Sequence, residues 1–216
     1  EIFNIKNQNF RIQKLNPSLI LAFKHDNYVL KAPDGFGIGT IKNFYFSHMY
    51  NCIYDCRYCF LQGMYSSANF VIFVNYEDFF KKISSLVENN KNQNLAFFSG
   101  YDCDSLALDN ITNFVTDSLE FFKNIPTALI ELRTKSTSIN PILSFKPIKN
   151  CVVAYSLLPE KVSKNLDNKT PNILRRINSL KKLSDNGWKV GLRFDPLIYS
   201  NNWKENYKEL FDKIFK

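Results

Sequence analysis

Glycine is scarce in this chain, with 7 in 216 residues. A sequence so poor in glycine is neither linker-rich nor low-complexity. No apolar run approaches the roughly 18 residues that a membrane-spanning helix requires. Glu1 to Phe10 are polar and mixed, unlike a signal peptide. No block of five like charges occurs, so there is no basic tail to hold phosphate by itself. Cysteine is also sparse: there are 5, an odd number, and three of them are clustered. That pattern is not a disulfide framework. It fits a reducing, cytoplasmic setting.

What the chain does have is core material. Hydrophobic residues make up 45%, including 20 Phe and 11 Tyr, enough for one large domain or two small ones. The formal net charge of +8 is compatible with a polyanionic partner such as nucleic acid, and equally with a Lys-rich genomic composition. The sequence begins at Glu1 rather than Met and reads as a piece of a longer protein.

The cysteine cluster organises the rest. Cys52, Cys56 and Cys59 stand in the spacing CxxxCxxC within Asn51 to Gly63. Three soft sulfur ligands on one loop suit an iron–sulfur cluster. A four-iron cluster held by three thiolates keeps one iron open to a small molecule, as an open zinc site keeps a position for water. A zinc site is the alternative, and it needs a fourth ligand; His48 is the candidate. Cys151, at the start of an apolar run, reads as core. His25 and Arg57 read as surface residues, and Tyr155, Phe194, Trp188 and Trp203 as packing.

Residues 1–42 read as an N-terminal extension packed on the core. Within it, residues 2–5 and 20–23 fit short strands or a helix, and the Gly35 to Gly39 stretch fits a turn. From residue 43 onward strand and helix alternate. Strands are expected at 43–47, 71–74, 95–98, 128–133, 151–156 and 190–194. Helices are expected at 76–89 with Asn75 as cap, at 109–124, briefly at 140–145, at 171–185 with Thr170 as cap, and from 203 to 215. The strands are near-continuous apolar runs, as in a covered parallel sheet. The pattern predicts an α/β fold, an open or partial (β/α) barrel, with a doubly wound sheet as the alternative. Either architecture builds its site from the loops at the strand C-termini.

Polar residues collect at those ends. The strand at 43–47 feeds the cysteine loop, and the next ends in Ser99, Gly100, Tyr101, Asp102, Cys103 and Asp104. Arg133 and Lys135 follow, then Ser156, then Arg193 and Asp195. Gly100 permits close backbone approach to a ligand. Lys135 can hold a carboxylate as a point charge.

CxxxCxxC with Tyr58 just before its third cysteine resembles the signature of radical S-adenosylmethionine enzymes. The longer Asn51–Gly63 string, with Phe60, Leu61 and Gln62, is similar to the spore photoproduct lyase group. So are Ser99-Gly100, Asp104 to Asp109, Arg133 to Ser136, the helix with Arg176, and Gly187 to Pro196. The resemblance implies a partial barrel of about six β/α units, cut short at the C-terminus. It implies that Cys52, Cys56 and Cys59 hold a [4Fe–4S] cluster whose fourth iron is chelated by S-adenosylmethionine. One-electron cleavage then gives a 5′-deoxyadenosyl radical. Cys103, Lys135 and Ser156 match residues at the methionine end or ribose. Tyr58 and Asp195 lie near the adenine, and Ser99, Gly100 and Arg193 complete the cofactor set. The implied substrate is DNA or a nucleotide lesion, with a peptide or small molecule as the alternative; a non-catalytic zinc or iron–sulfur nucleic-acid module is the reading from another class. An electron donor such as ferredoxin or flavodoxin is implied, and no membrane. One departure stands out: the position of the repair enzymes' hydrogen-donating cysteine falls on Tyr101, with Cys103 two residues later. Tyr101 and Cys103 are therefore the candidate catalytic residues.

Overall fold

The structure, a computed structural model, describes residue 3 and residues 7–40, 42–91 and 93–216. The segment expected at 2–5 lies, apart from Phe3, outside the described residues. The strands are β1 (Leu19–Ala22), β2 (Leu30–Lys31), β3 (Lys42–Phe46), β4 (Met49–Tyr50), β5 (Asp55–Cys56), β6 (Phe70–Phe73), β7 (Leu95–Ser99), β8 (Ala128–Thr134), β9 (Cys151–Ser156), β10 (Asp167–Asn168) and β11 (Lys189–Arg193). The helices are α1 (Phe10–Gln13), α2 (Leu61–Met64), α3 (Tyr76–Glu88), α4 (Asp109–Thr112), α5 (Phe114–Lys123), α6 (Asn140–Leu143), α7 (Glu160–Leu166), α8 (Ile173–Asp185) and α9 (Trp203–Phe215).

The main sheet has the order β11-β9-β8-β7-β3-β2. Its strands β3, β7, β8, β9 and β11 are parallel, and β2 is an antiparallel edge. Each crossover steps to the next position in the same direction. That is the winding of a partial barrel; a doubly wound sheet reverses direction, and the alternative falls. The two edge strands, β2 and β11, do not meet, so the sheet is open. β6, expected as a strand, sits instead in a small sheet between β1 and β4.

The parallel strands alternate their side chains between two faces. Phe44 and Phe46, Leu95 and Phe97, Ile130 and Leu132, and Cys151, Val153 and Tyr155 all join one apolar cluster with the helices. α3 contributes Phe79 and Ile83, and α5 contributes Phe114, Val115, Leu119 and Phe122. α8 and α9 add Ile177, Leu183, Tyr207 and Leu210. Cys151 is fully buried there, as its sequence position suggested.

Three sequence expectations need correction. The helix expected over 109–124 is two helices, because Asn113 takes a left-handed conformation at φ 52°. The Asp109 carboxylate accepts from Val115 N at 2.8 Å and fixes the second start. α8 begins at Ile173 and is capped by Asn172, whose side chain accepts from Arg175 N; Thr170 hydrogen-bonds Asp167 O at 2.9 Å instead. Trp203 is 38% exposed at the head of α9 beside Tyr199 rather than in the core. Asn75 does precede α3, but its amide bridges the Lys24 backbone at 2.9 Å and donates to Asp78. Gly187, at φ 83°, follows α8 where a left-handed residue ends a helix. Among the described residues no helix is long and apolar enough to cross a membrane.

Candidate active site

The cysteine loop leaves β3 and is held by backbone pairing. β5 pairs antiparallel with β10, matching Cys56 with Asp167. Arg57 N donates to Leu166 O at 2.8 Å. Asn51, at φ 64°, donates from its amide to Ser67 O and Asn69 O at 2.8 Å each. Gln62 donates to Asp55 and to Cys56 O at 2.9 and 3.0 Å, and Lys14 bonds Asp55 from the N-terminal segment.

Beneath the loop lies an ion pair with both side chains at 0% exposure, Arg176 Nη1 to Asp167 Oδ2 at 2.9 Å. Arg176 also donates to Pro171 O and Ser156 O, and bonds Thr170. Tyr58 donates its hydroxyl to Asp167, and Ser163 donates to the same carboxylate at 3.0 Å. Burial alone would raise the Asp167 pKa, but the Arg176 charge, the Tyr58 hydroxyl and the Lys135 charge bring it below the ordinary carboxylate value. Buried charges persist only when paired and hydrogen-bonded in this way. The network ties the middle of the cysteine motif to the end of β9.

A second buried carboxylate holds the loop after β7. Asp104 accepts from Leu106 N and Ala107 N at 3.0 Å, from Thr134 Oγ1 at 2.7 Å and from Lys135 N at 2.6 Å. It thereby locks the β7 loop to the end of β8. Burial still raises its pKa. Gly100 has φ 72°, and a Cβ there would lie 2.5 Å from Ser105 Oγ. The close approach expected of a ligand at Gly100 is made by Ser105 of the same chain.

Cys52, Cys56 and Cys59 line one cavity of about 150 Å³, together with Gly100, Tyr101, Cys103, Asp104, Arg133, Lys135 and Ser156. Burial pushes the Cys52 thiol well up and the Cys56 thiol to about 11, while the Lys135 ammonium pulls both down. Lys135 Nζ also lies 5.6 Å from the Tyr58 ring centroid. The three loop thiols face a common space beside a cation, as a cluster with one open iron requires, and Cys103 lines the same space from the β7 loop. Among the described residues no three His, Cys, Asp or Glu side chains are set to hold a single ion. His48, the candidate zinc ligand, stacks on Phe114 at 3.7 Å and contacts Cys103 Sγ through Nδ1 at 3.8 Å. Burial pushes its pKa down to about 3.

Other expected site residues stand apart from this cavity. Ser99 is fully buried, bonded to Ser105 Oγ at 2.7 Å and donating to Glu131 O at 3.1 Å. Arg193 pairs with Glu131, which also pairs with Arg133. Both guanidinium groups lie over Phe98, at 5.8 and 4.9 Å. Asp195 is exposed, ahead of a cis bond to Pro196. Sequence reasoning missed Asp167 and Glu131. Glu131 had a signal, a charge inside the apolar strand ALIELRT; Asp167 had none.

An open parallel sheet with a three-cysteine loop over its C-terminal mouth defines the radical S-adenosylmethionine class. The chain belongs to the spore photoproduct lyase family, whose model matches residues 44–216. It is 24% identical over 163 residues to a spore photoproduct lyase of Clostridium acetobutylicum, covering 75% of this chain and 48% of that protein. The Bacillus subtilis spore photoproduct lyase is 23% identical over 164 residues, 76% and 48% of the two chains. The chain thus spans about half the length of the curated relatives it matches. Its fold matches a solved spore photoproduct lyase double mutant with bound AdoMet and dinucleoside spore photoproduct at TM-score 0.82 and 18% identity, covering 91% of this chain and 56% of that one. A solved complex of spore photoproduct lyase with dinucleoside spore photoproduct matches at 0.80, with 17% identity and the same coverage. These structural matches are likenesses of fold.

Proposed function

We propose that this chain is the core of a radical S-adenosylmethionine enzyme, spore photoproduct lyase-like, that acts on a DNA or nucleotide lesion. Residues 43–216 are its partial barrel and residues 1–42 an N-terminal extension packed on it. The carrying observation is the single cavity shared by Cys52, Cys56, Cys59, Lys135 and Ser156 at the strand ends. Bound there, a [4Fe–4S] cluster and S-adenosylmethionine would supply a 5′-deoxyadenosyl radical by one-electron cleavage of the sulfonium. The chain's own part is to hold, orient and shield.

Cys52, Cys56 and Cys59 are the cluster ligands. Lys135 offsets the charge of the thiolates and orients the methionine carboxylate. Cys103 and Ser156 face the same cavity and contact the cofactor, and Tyr58 is set by Asp167 against the Lys135 side. Gly100 lines the cavity by its backbone. Ser99 and Arg193 act from outside it, through Ser105 and Glu131, and Asp195 is exposed beyond β11. Tyr101 reaches the cavity from the substrate side, its ring 5.6 Å from Phe60; with Cys103 it is the candidate hydrogen donor. A ferredoxin- or flavodoxin-like donor supplies the electron.

The test is anaerobic reconstitution followed by S-adenosylmethionine and dithionite. A brown protein that releases 5′-deoxyadenosine is expected. A protein that carries one zinc and no iron, or that binds the cluster and forms no 5′-deoxyadenosine, overturns the reading.

A further inference from the structure

The loop from Tyr101 to Asp104 serves two cavities. Cys103 and Asp104 line the thiol cavity, Asp102 lines a second cavity of about 410 Å³, and Tyr101 lines both. The second cavity has tyrosine walls. Tyr45 and Tyr101 meet with ring centroids 4.3 Å apart, and Tyr50 stacks on Tyr65 at 5.0 Å.

Two charged groups enter it, and both are almost wholly buried. Lys24 is 8% exposed and Asp102 7%. Lys24 Nζ donates to Tyr50 Oη at 2.6 Å and lies 4.8 Å from the ring centroids of Tyr50 and Phe73. Among the described residues Tyr50 is the one hydrogen-bond acceptor of the ammonium, so two of its N–H donors are left for a ligand. The Asp102 carboxylate accepts from the hydroxyls of Ser47 and Tyr65, and its Oδ1 is buried with no hydrogen-bond partner. Folded proteins leave few such atoms, because each forfeits its hydration without recompense. The lysine is placed with care: Asn75 clamps its backbone N–H and carbonyl from α3.

We infer that this cavity is a recognition pocket for one nucleobase of the substrate, in which Lys24 donates to a ring acceptor and Asp102 accepts the neighbouring N–H. The inference rests on the radical-enzyme reading above and adds the place and polarity of substrate recognition. Tyrosine faces accept a planar ring by stacking, whatever its sequence context. A base edge sets an acceptor beside a donor, which a buried ammonium and carboxylate complement as a pair. Tyr101 is the partition between the pocket and the thiols, so a base seated against it lies next to the cofactor cavity. Lys24 lies before residue 44, where the family match begins. Its contribution therefore belongs to this chain's own N-terminal segment.

The probe is the dinucleotide thymidylyl-thymidine, titrated by calorimetry into the reconstituted full chain and into Lys24→Met and Asp102→Asn. Methionine keeps the length and apolar stem of Lys24, and cluster absorbance and circular dichroism check that each variant folds. Binding to the parent chain is expected, weakened at least tenfold by Lys24→Met and about threefold to tenfold by Asp102→Asn. A parent chain that does not bind the dinucleotide, or folded variants that bind it as the parent does, would overturn the pocket. Should Lys24→Met fail to fold, the Asp102→Asn titration decides alone. Formation of 5′-deoxyadenosine by the parent chain is scored separately. Its failure would remove the radical reading, whereas lost dinucleotide binding beside intact 5′-deoxyadenosine formation would remove only the pocket.

Discussion

The two faces of the parallel sheet come from the same strands and do opposite things. On the helix-covered face Leu95, Phe97, Ile130, Leu132, Val153 and Tyr155 bury into one apolar cluster. On the other face the intervening residues are Tyr45, Phe98, Glu131, Arg133, Ser156 and Arg193, running up to the thiol cavity. Register explains the contrast: Phe98 pairs with Glu131, and Arg193 with Ser156, so the residues of one face stay together across the sheet. The first face gives stability through area buried and tolerates exchange of one apolar residue for another of similar volume. The second depends on particular charges in particular places, and a single lost partner leaves a buried ion alone. Chemistry gathers where packing leaves polar groups that only their partners satisfy.

The sharpest way to break this comparison is with cysteines, because Cys151 lies in the helix-covered face and Cys56 in the loop at the mouth. Cys56→Ala should abolish cluster assembly, read as loss of the iron–sulfur visible absorption. Cys151→Ala should assemble the cluster in full and lower stability by about 1 kcal/mol, as small core truncations do. A bleached cluster in Cys151→Ala would show that the ligand set is wrongly chosen.

Arg176 tests whether the loop depends on its buried anchor. Arg176→Met leaves Asp167 buried and unpaired, and should cost about 3–5 kcal/mol in denaturant unfolding. A cost near that of a surface substitution would mean that water or a neighbour already screens Asp167.

Lys135→Ala touches the mouth without touching the core. S-adenosylmethionine affinity should fall about tenfold, the scale of one charged hydrogen bond, with thermal stability nearly unchanged. Equal affinity in the variant would remove Lys135 from the cofactor's contacts.

An effect of the size expected for Lys135→Ala is a pH dependence centred on His48. His48 stays neutral in the fold, with its pKa pushed down to about 3 by burial. In the unfolded chain it titrates near about 6.5. As pH falls, the unfolded chain binds the proton first, so stability is complete above about 6.5 and declines below it. At pH 5.5 the loss should reach about 1.4 kcal/mol. His48→Gln should flatten that limb of a pH–stability profile. An unchanged slope would assign the proton elsewhere.

Much of the fold was legible. Apolar runs of strand length alternating with helical periodicity gave β7, β8, β9, β11, α3 and α9 nearly to the residue, because burial imposes those periods directly. The break at Asn113 was not legible, since a left-handed residue inside a helical pattern depends on the Asp109 carboxylate reaching Val115. The N-terminal segment was the least readable. Its strand β1 is set by pairing with β6, a partner far along the chain.

The sequence by itself singled out the three loop cysteines as the proposed cluster ligands. Three thiols on one loop can act on one object whatever surrounds them, so their spacing carries the chemistry. It also placed Lys135 and Ser156 at strand ends, where a parallel sheet opens its site. Only the tertiary structure joined Tyr58 to Asp167 and Arg176, paired Glu131 with two arginines, and set Lys24 in a cavity with Asp102. The physical reason is that these groups answer to burial. A charge distant in sequence becomes a partner only when the sheet brings two strand ends together and removes the water that would otherwise satisfy both.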